Sequence, residues 1–110
     1  AWELTRTGSV VYSQRAIAQP SELYTAELGE APRRVTHFNQ ALESQVDIRP
    51  AAELWLEGDG GRPIHTFVVT PHGFDPSKRY PLILNVHGGP QSQWTDAFRG
   101  DWQVYPGKGY

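Results

Sequence analysis

The sequence contains no cysteine, no methionine and no long apolar run. The lack of cysteine excludes disulfides and cysteine-based zinc sites, but it leaves cytoplasmic, periplasmic and secreted locations all compatible. No stretch approaches the roughly 18 apolar residues that a membrane-spanning helix requires, and no signal peptide opens the chain. Because even position 1 lacks methionine, we expect these 110 residues to be a fragment or a processed piece.

Charged residues make up 20% of the chain and are mixed in sign along it. The formal net charge is −2 and the pI is about 6.1, so the composition favours neither nucleic acid nor a membrane as a partner. His37, His65 and His72 lie far apart and show no i, i+4 spacing, which predicts no metal site. We therefore expect neither a metal nor a cofactor.

The first part of the chain alternates short strand-like segments with turns. Residues 10–13, 22–28 and 33–39 are predicted to be extended, and residues 15–20 are predicted to form a loop. Residues 40–45 are at most weakly helical. Turn signals recur at the 8–12-residue spacing that is typical of antiparallel all-β architecture. Within the second strand, the alternation favours a solvated face for Glu22 and Glu27.

The second part begins with a connector over residues 47–52. Residues 53–57 and 64–70 are strand-like and flank a glycine-rich stretch that predicts a hairpin turn. The loop over residues 71–79 follows, and its Asp75-Pro76-Ser77 sequence is typical of a turn capped by side chains.

The most informative stretch is the apolar run Leu82 to Val86, which is followed by His87-Gly88-Gly89-Pro90. The run predicts a strand buried on both faces, because it is apolar, short and bounded by turn formers. The two glycines leave bare backbone N–H groups at the carboxyl end of that strand, where open α/β sheets bind ligands. An oxyanion hole on the α/β-hydrolase fold is built in this way. A simple tight turn is the alternative.

Aromatic side chains follow this turn, at Trp94, Phe98, Trp102 and Tyr105. We consider Trp94 and Phe98 as candidates for a substrate pocket, although aromatics at such spacing more often pack a helix onto a sheet. A helix is predicted to start near Phe98 with Asp101 as N-cap and to stop at residues 106–109.

Four segments together resemble the prolyl oligopeptidase family of serine peptidases, in particular its dipeptidyl-peptidase and acylaminoacyl-peptidase-like branches. These segments are Trp55-Leu56-Glu57-Gly58, Gly73-Phe74-Asp75-Pro76-Ser77-Lys78, Tyr80-Pro81-Leu82 and His87-Gly88-Gly89-Pro90-Gln91. The resemblance implies the end of a β-propeller over residues 1–49. It implies the first strands of an α/β-hydrolase domain over residues 50–110.

The resemblance also implies a catalytic role for the glycine turn. Gly89, with Gly88 beside it, would supply one oxyanion-hole N–H. Related branches carry a tyrosine at the position of His87. With histidine there, the resemblance implies that only backbone N–H groups donate to the oxyanion and that His87 orients the loop. The substrate would be a short peptide, cleaved by acyl transfer through a serine ester. Homo-oligomerisation of the intact enzyme stays open.

No serine of this chain lies in the Gly-x-Ser-x-Gly context of the family nucleophile. The family order then places the Ser-Asp-His triad beyond Tyr110, and we expect the chain alone to be inactive. Two alternatives remain open: a carboxylesterase with the same His-Gly-Gly loop, and a non-catalytic binding module derived from a propeller.

Overall fold

The computed structural model describes residues 1–89 and 91–110, which are mostly strand and loop. The strands are β1 (Trp2–Leu4), β2 (Val10–Ala16), β3 (Gln19–Ala26), β4 (Arg33–Arg34), β5 (Ala51–Glu57) and β6 (Pro63–Val69). The helices are α1 (Gln40–Gln45) and α2 (Gly100–Gly107), and a single 3-10 turn spans Asp59–Gly61.

The first sheet is an antiparallel meander in the order β1-β2-β3-β4. Tyr12 and Tyr24 lie opposite each other in β2 and β3, and their rings stack at 5.9 Å. The strands predicted near residues 10–13 and 22–28 are therefore confirmed. The loop predicted over residues 15–20 is wrong, because backbone pairing continues to Ala16 and resumes at Gln19. Because backbone groups make the ladder, polar side chains do not interrupt it. Only residues 17 and 18 form the turn.

Strands β5 and β6 form a separate antiparallel hairpin, as predicted. Trp55 lies opposite His65, and their rings stack at 4.5 Å with an interplanar angle of 15°. In the turn between the strands, Gly60 and Gly61 have φ values of +66° and +75°. Only glycine adopts this left-handed region without strain, which explains the glycine-rich turn.

The loop after β6 contains the predicted capped turn. The Asp75 carboxylate accepts hydrogen bonds from the Ser77 N–H at 3.0 Å and from the Ser77 hydroxyl at 2.7 Å. These bonds lower the pKa of Asp75, and burial opposes them only in part. The prediction of side-chain capping at this turn is confirmed.

The buried strand predicted over residues 82–86 is not formed in this structure. Leu82, Leu84 and Val86 are 82%, 78% and 73% exposed, and the segment belongs to neither sheet. A strand requires a hydrogen-bonded neighbour, and none of the described strands pairs with this segment. The apolar run therefore lies outside both sheets, although its composition predicts a buried strand.

Helix α2 begins at Gly100, two residues earlier than an N-cap at Asp101 would allow. Arg99, with extended backbone angles, is the N-cap, whereas Asp101 lies in the first turn. A carboxylate in the first turn is still favoured there, because the N–H groups at a helix N-terminus attract negative charge. Pro106 lies inside the last turn and does not stop the helix, which ends at Gly107. No helix in the described part of the chain combines the length and apolarity needed to cross a membrane.

Candidate active site

The glycine turn has a backbone that requires glycine at one position. Gly89 has φ = +67°, in the left-handed region, whereas Gly88 does not have a positive φ. A Cβ atom at either position would meet no atom within 4 Å. Within residues 1–89 and 91–110, no oxygen accepts a hydrogen bond from the N–H of Gly88 or Gly89. Two adjacent N–H groups are thus available to an external acceptor.

His87 is half-buried and contacts the loop itself. Its Nδ1 atom lies 3.4 Å from the carbonyl oxygen of Gly88. Its ring meets Trp94 edge-on, with centroids 6.2 Å apart and an interplanar angle of 79°. Pro90, the last residue of the predicted motif, lies outside the described residues.

Trp94 connects the glycine turn to helix α2. Its indole N–H donates to the carbonyl oxygen of Asn85 at 3.3 Å, two residues before His87. On its other side the ring meets Trp102 of α2 edge-on at 5.1 Å. Trp102 also packs against Phe67 of β6, with centroids 6.4 Å apart. The packing alternative for the aromatic residues therefore holds for Trp102, while Trp94 faces the turn.

The guanidinium of Arg99 lies over the rings of both tryptophans. Its guanidinium carbon lies 4.6 Å from the ring centroid of Trp94 and 5.4 Å from that of Trp102. Its Nε atom lies 3.5 Å from a carboxylate oxygen of Asp101. Such cation–π contacts fix a planar guanidinium on aromatic faces. Arg99 was not among the predicted site residues, although it lies between two tryptophans in the sequence.

Two open clefts flank Trp94. The larger, of about 440 Å³, lies between the β2–β3 turn, the β5–β6 hairpin and residues 93–96. The smaller, of about 200 Å³, is lined by Trp94 and Phe98 together with Arg15 and Arg99. The structure thus brings the two predicted pocket residues to one cleft. Gly88 and Gly89 line neither of these clefts.

Glu22 is the residue that sequence reasoning placed most poorly. It is 1% exposed rather than solvated. Its carboxylate accepts hydrogen bonds from the Thr36 hydroxyl, from the Phe38 N–H at 3.2 Å and from the Asn39 N–H and side-chain amide at 2.8 and 3.0 Å. Arg34 completes the site with an ion pair at 2.9 Å. This carboxylate anchors the chain after β4 to β3.

The surroundings of Glu22 determine its ionisation. Burial alone would raise its pKa, but the hydrogen bonds from Thr36 and Asn39 and from the Phe38 N–H outweigh burial and lower the pKa to about 2. Glu22 therefore stays ionised and fully occupied by donors. Because protein donors occupy the carboxylate, the role of Glu22 is structural. Pro20 and Glu22 are both buried, with exposed Ser21 between them, so the two residues share the covered face of β3.

Acidic and histidine side chains do not cluster elsewhere in a way that suggests a metal. Within the described ranges, no group of three or more histidine or carboxylate side chains is placed to hold an ion. The closest histidine pairs are His65 with Glu53 and His72 with Asp47, each at 2.6 Å. Both pairs are partly exposed ion or hydrogen-bond pairs.

Comparison with known proteins identifies relatives among peptidases. The chain is 43% identical over 63 residues to dipeptidyl-peptidase 5 of Schizosaccharomyces pombe, which covers 56% of this chain and 9% of that protein. It is 32% identical over 116 residues to a probable dipeptidyl-peptidase 5 of Emericella nidulans, covering 97% of this chain and 15% of that protein. An uncharacterised peptidase of Bacillus subtilis is 30% identical over 84% of this chain and 14% of its own length. The chain thus spans about 9 to 15% of these curated relatives. No protein-family model matches it.

Two solved structures have the same fold over the whole chain. An acylaminoacyl peptidase in complex with Z-Gly-Gly-Phe-chloromethyl ketone superposes with a TM-score of 0.84 at 21% identity. The acylaminoacyl peptidase of Pyrococcus horikoshii superposes with a TM-score of 0.82 at 20% identity. Each match covers 100% of this chain and 17% of the other. The arrangement of the two sheets is therefore that of a region of the acylaminoacyl peptidases.

Proposed function

We propose, on the premise that this chain is related to the peptidases of the prolyl oligopeptidase family, that its glycine turn supplies one half of an oxyanion hole for peptide hydrolysis. The observation that carries the proposal is the pair of N–H groups of Gly88 and Gly89, which donate to no oxygen in the described chain. A protein of the relatives' length that contains this chain is called the full-length peptidase.

In the proposed reaction, a serine from outside these 110 residues attacks the carbonyl carbon of a short peptide. The carbonyl oxygen becomes an oxyanion as the tetrahedral intermediate forms, and the Gly89 N–H donates a hydrogen bond to it. A second amide, next to the nucleophile, donates the other bond. Such preorganised donors act mainly on the transition state, and losing one costs about 10²–10³ in kcat.

We further propose that the chain joins two domains at residues 49 and 50. Residues 1–49 would end a β-propeller, and residues 50–110 would begin an α/β-hydrolase domain. The separation of the meander β1–β4 from the hairpin β5–β6 supports this division, because no hydrogen-bonded ladder among the described residues joins the two. The propeller-like first half favours a peptidase over a stand-alone esterase.

The proposed substrates are dipeptidyl and acyl-aminoacyl peptides, because relatives with both kinds of name match this chain. The test is to assay the full-length peptidase with a dipeptidyl arylamide, an acyl-aminoacyl arylamide and a simple carboxylic ester. We expect turnover of at least one arylamide that a serine-directed inhibitor abolishes.

Other outcomes would contradict the proposal in different ways. Turnover of the ester alone would indicate a carboxylesterase. Binding of peptides without turnover would indicate a non-catalytic binding module.

A further inference from the structure

The turn between β2 and β3 is held by side chains from the far end of the chain. Ile17, in this turn, is only 2% exposed. Its backbone N–H donates to the Asp96 carboxylate at 2.7 Å, and its carbonyl oxygen accepts from the Gln103 side-chain amide at 3.2 Å. Both polar groups of one turn residue are thus satisfied by residues 79 and 86 positions away.

Gln103 holds a second segment at the same time. Its side-chain oxygen accepts from the Arg49 N–H at 2.7 Å, and its amide donates to the Arg49 carbonyl oxygen at 3.0 Å. A glutamine side chain offers one carbonyl oxygen and two N–H donors, and here all of these groups are engaged. Helix α2 is therefore tied both to the β2–β3 turn and to the connector before β5.

The two residues that grip Ile17 are neighbours of the tryptophans at the glycine turn. Asp96 lies two residues after Trp94, and Gln103 directly follows Trp102. Residues 91–99 are neither helix nor strand, so side-chain contacts must hold them in place. Asp96 supplies such a contact for the segment that carries Trp94, which in turn bonds the Asn85 carbonyl oxygen and touches His87.

We propose that Asp96 and Gln103 are positioning residues. Through their hydrogen bonds to Ile17, they hold Trp94 against the glycine turn in the geometry that catalysis needs. This proposal rests on the proposed oxyanion role of Gly89. Displacing a catalytic group by about 1 Å costs up to about 10²-fold in rate, so a contact that sets the position of the turn affects kcat. The first sheet then contributes to the reaction through one turn.

The experiment compares Asp96→Ala with Asp96→Asn in the full-length peptidase. Asparagine keeps a side-chain oxygen that accepts the Ile17 N–H, whereas alanine removes the acceptor. We expect Asp96→Ala to lower kcat by roughly tenfold with KM changed less than about twofold, and Asp96→Asn to stay within about threefold of the parent. Asp59→Ala, at an exposed turn aspartate, serves as the matched control and should leave kcat unchanged.

A second readout separates positioning from a loss of stability. A peptide aldehyde forms a hemiacetal whose oxygen occupies the oxyanion hole, so its inhibition constant should rise by the same factor as kcat falls. Gln103→Glu provides an independent variant, since it keeps the acceptor for the Arg49 N–H but loses both donated bonds. It should lower kcat in the same direction and raise the aldehyde inhibition constant by the same factor.

The outcomes distinguish this proposal from the oxyanion role itself. If Gly89→Pro lowers kcat while Asp96→Ala and Gln103→Glu leave it unchanged, the positioning role is overturned and the oxyanion role stands. If Gly89→Pro leaves kcat unchanged, the Gly89 N–H is not an oxyanion donor, and both proposals are overturned. A fall in kcat without a matching rise in the aldehyde inhibition constant also overturns the positioning role.

Discussion

The backbone of Gly89 makes this residue the sharpest point at which to test the oxyanion role. Proline at this position removes the N–H, and its ring fixes φ near −65°, far from the observed +67°. We expect Gly89→Pro to lower kcat of the full-length peptidase by at least about tenfold. Steady-state kinetics with an arylamide substrate provide the measurement.

Two alanine variants separate the lost N–H from the changed backbone. Gly89→Ala keeps the N–H and has room for its Cβ, but it adopts the left-handed region at a cost of about 1–2 kcal/mol. Gly88→Ala keeps both the N–H and an ordinary φ. We expect the loss of kcat to be smallest for Gly88→Ala, larger for Gly89→Ala and largest for Gly89→Pro. Equal losses for Gly89→Ala and Gly89→Pro would assign the effect to backbone strain instead.

The buried carboxylate of Glu22 leads to a prediction about stability at neutral pH. Glu22→Gln removes the ion pair with Arg34 and leaves some of the donors around the carboxylate poorly satisfied. We expect the variant to melt several degrees below the full-length peptidase at pH 7. Glu30→Gln, at an exposed turn position, is the matched control and should leave the melting temperature unchanged.

The pH dependence has a definite sign. The pKa of Glu22 is lowered from 4.5 to about 2 on folding, so the stabilisation is complete above about pH 4.5 and disappears as the pH falls toward 2. The difference in melting temperature between the parent and Glu22→Gln should therefore shrink over this range. A difference that stays constant down to about pH 2.5 would contradict the assignment.

Single residues differ in how much of their role the sequence carries. The need for glycine at position 89 is local, because a turn after an apolar run favours φ values that other residues avoid. The burial of Glu22 depends on donors 14 and 17 residues away, which no local pattern contains. Asp96 and Gln103 were missed for the same reason, because their partner Ile17 is 79 and 86 residues away.

Among the elements, the strands follow from the sequence more closely than their ends do. Alternation and glycine-rich turns correctly predicted the hairpin of β5 and β6. The β2–β3 turn was placed four residues too wide, since the ladder does not depend on which side chains the strands carry. The N-cap of α2 was predicted at Asp101 but lies at Arg99, because a first-turn aspartate and an N-cap aspartate look alike in sequence.

The apolar segment at residues 82–86 predicts opposite effects of one substitution in two contexts. Leu84 is 78% exposed in this chain, so Leu84→Lys should reduce aggregation of the 110-residue chain. In the full-length peptidase we expect the segment to be a strand covered on both faces. There the buried, unpaired lysine should cost several kcal/mol and abolish soluble expression. Sedimentation of the short chain and the soluble yield of the long one are the measurements.

Leu28→Lys is the matched control for this element, since Leu28 is fully exposed in a turn after β3. We expect little change in either context. A soluble, active Leu84→Lys peptidase would show that residues 82–86 do not form a buried strand.

At the scale of the whole molecule, surface area and dimensions indicate that the apolar faces are not covered. The accessible surface is 8557 Å², whereas a closed globule of 12.3 kDa exposes about 6,100 Å². The radius of gyration is 17.5 Å, against about 13 Å for a compact domain of 110 residues. Trp2, Trp55 and Leu82 are all more than 60% exposed. The two sheets of the described chain therefore do not enclose a common core.

This open arrangement leads to a prediction for the 110-residue chain on its own. Without a closed core, the apolar area removed from water is too small to offset the loss of conformational entropy. We expect a broad, non-cooperative thermal transition, strong binding of the dye ANS and aggregation at micromolar concentration. Because no serine of the chain lies in a Gly-x-Ser-x-Gly context, we also expect no turnover of a dipeptidyl or acyl-aminoacyl arylamide. The full-length peptidase, measured under the same conditions, is the control.

A sharp cooperative transition in a monomeric sample would show that the two sheets suffice as a core. Turnover abolished by a serine-directed inhibitor would place the nucleophile among the six serines of this chain.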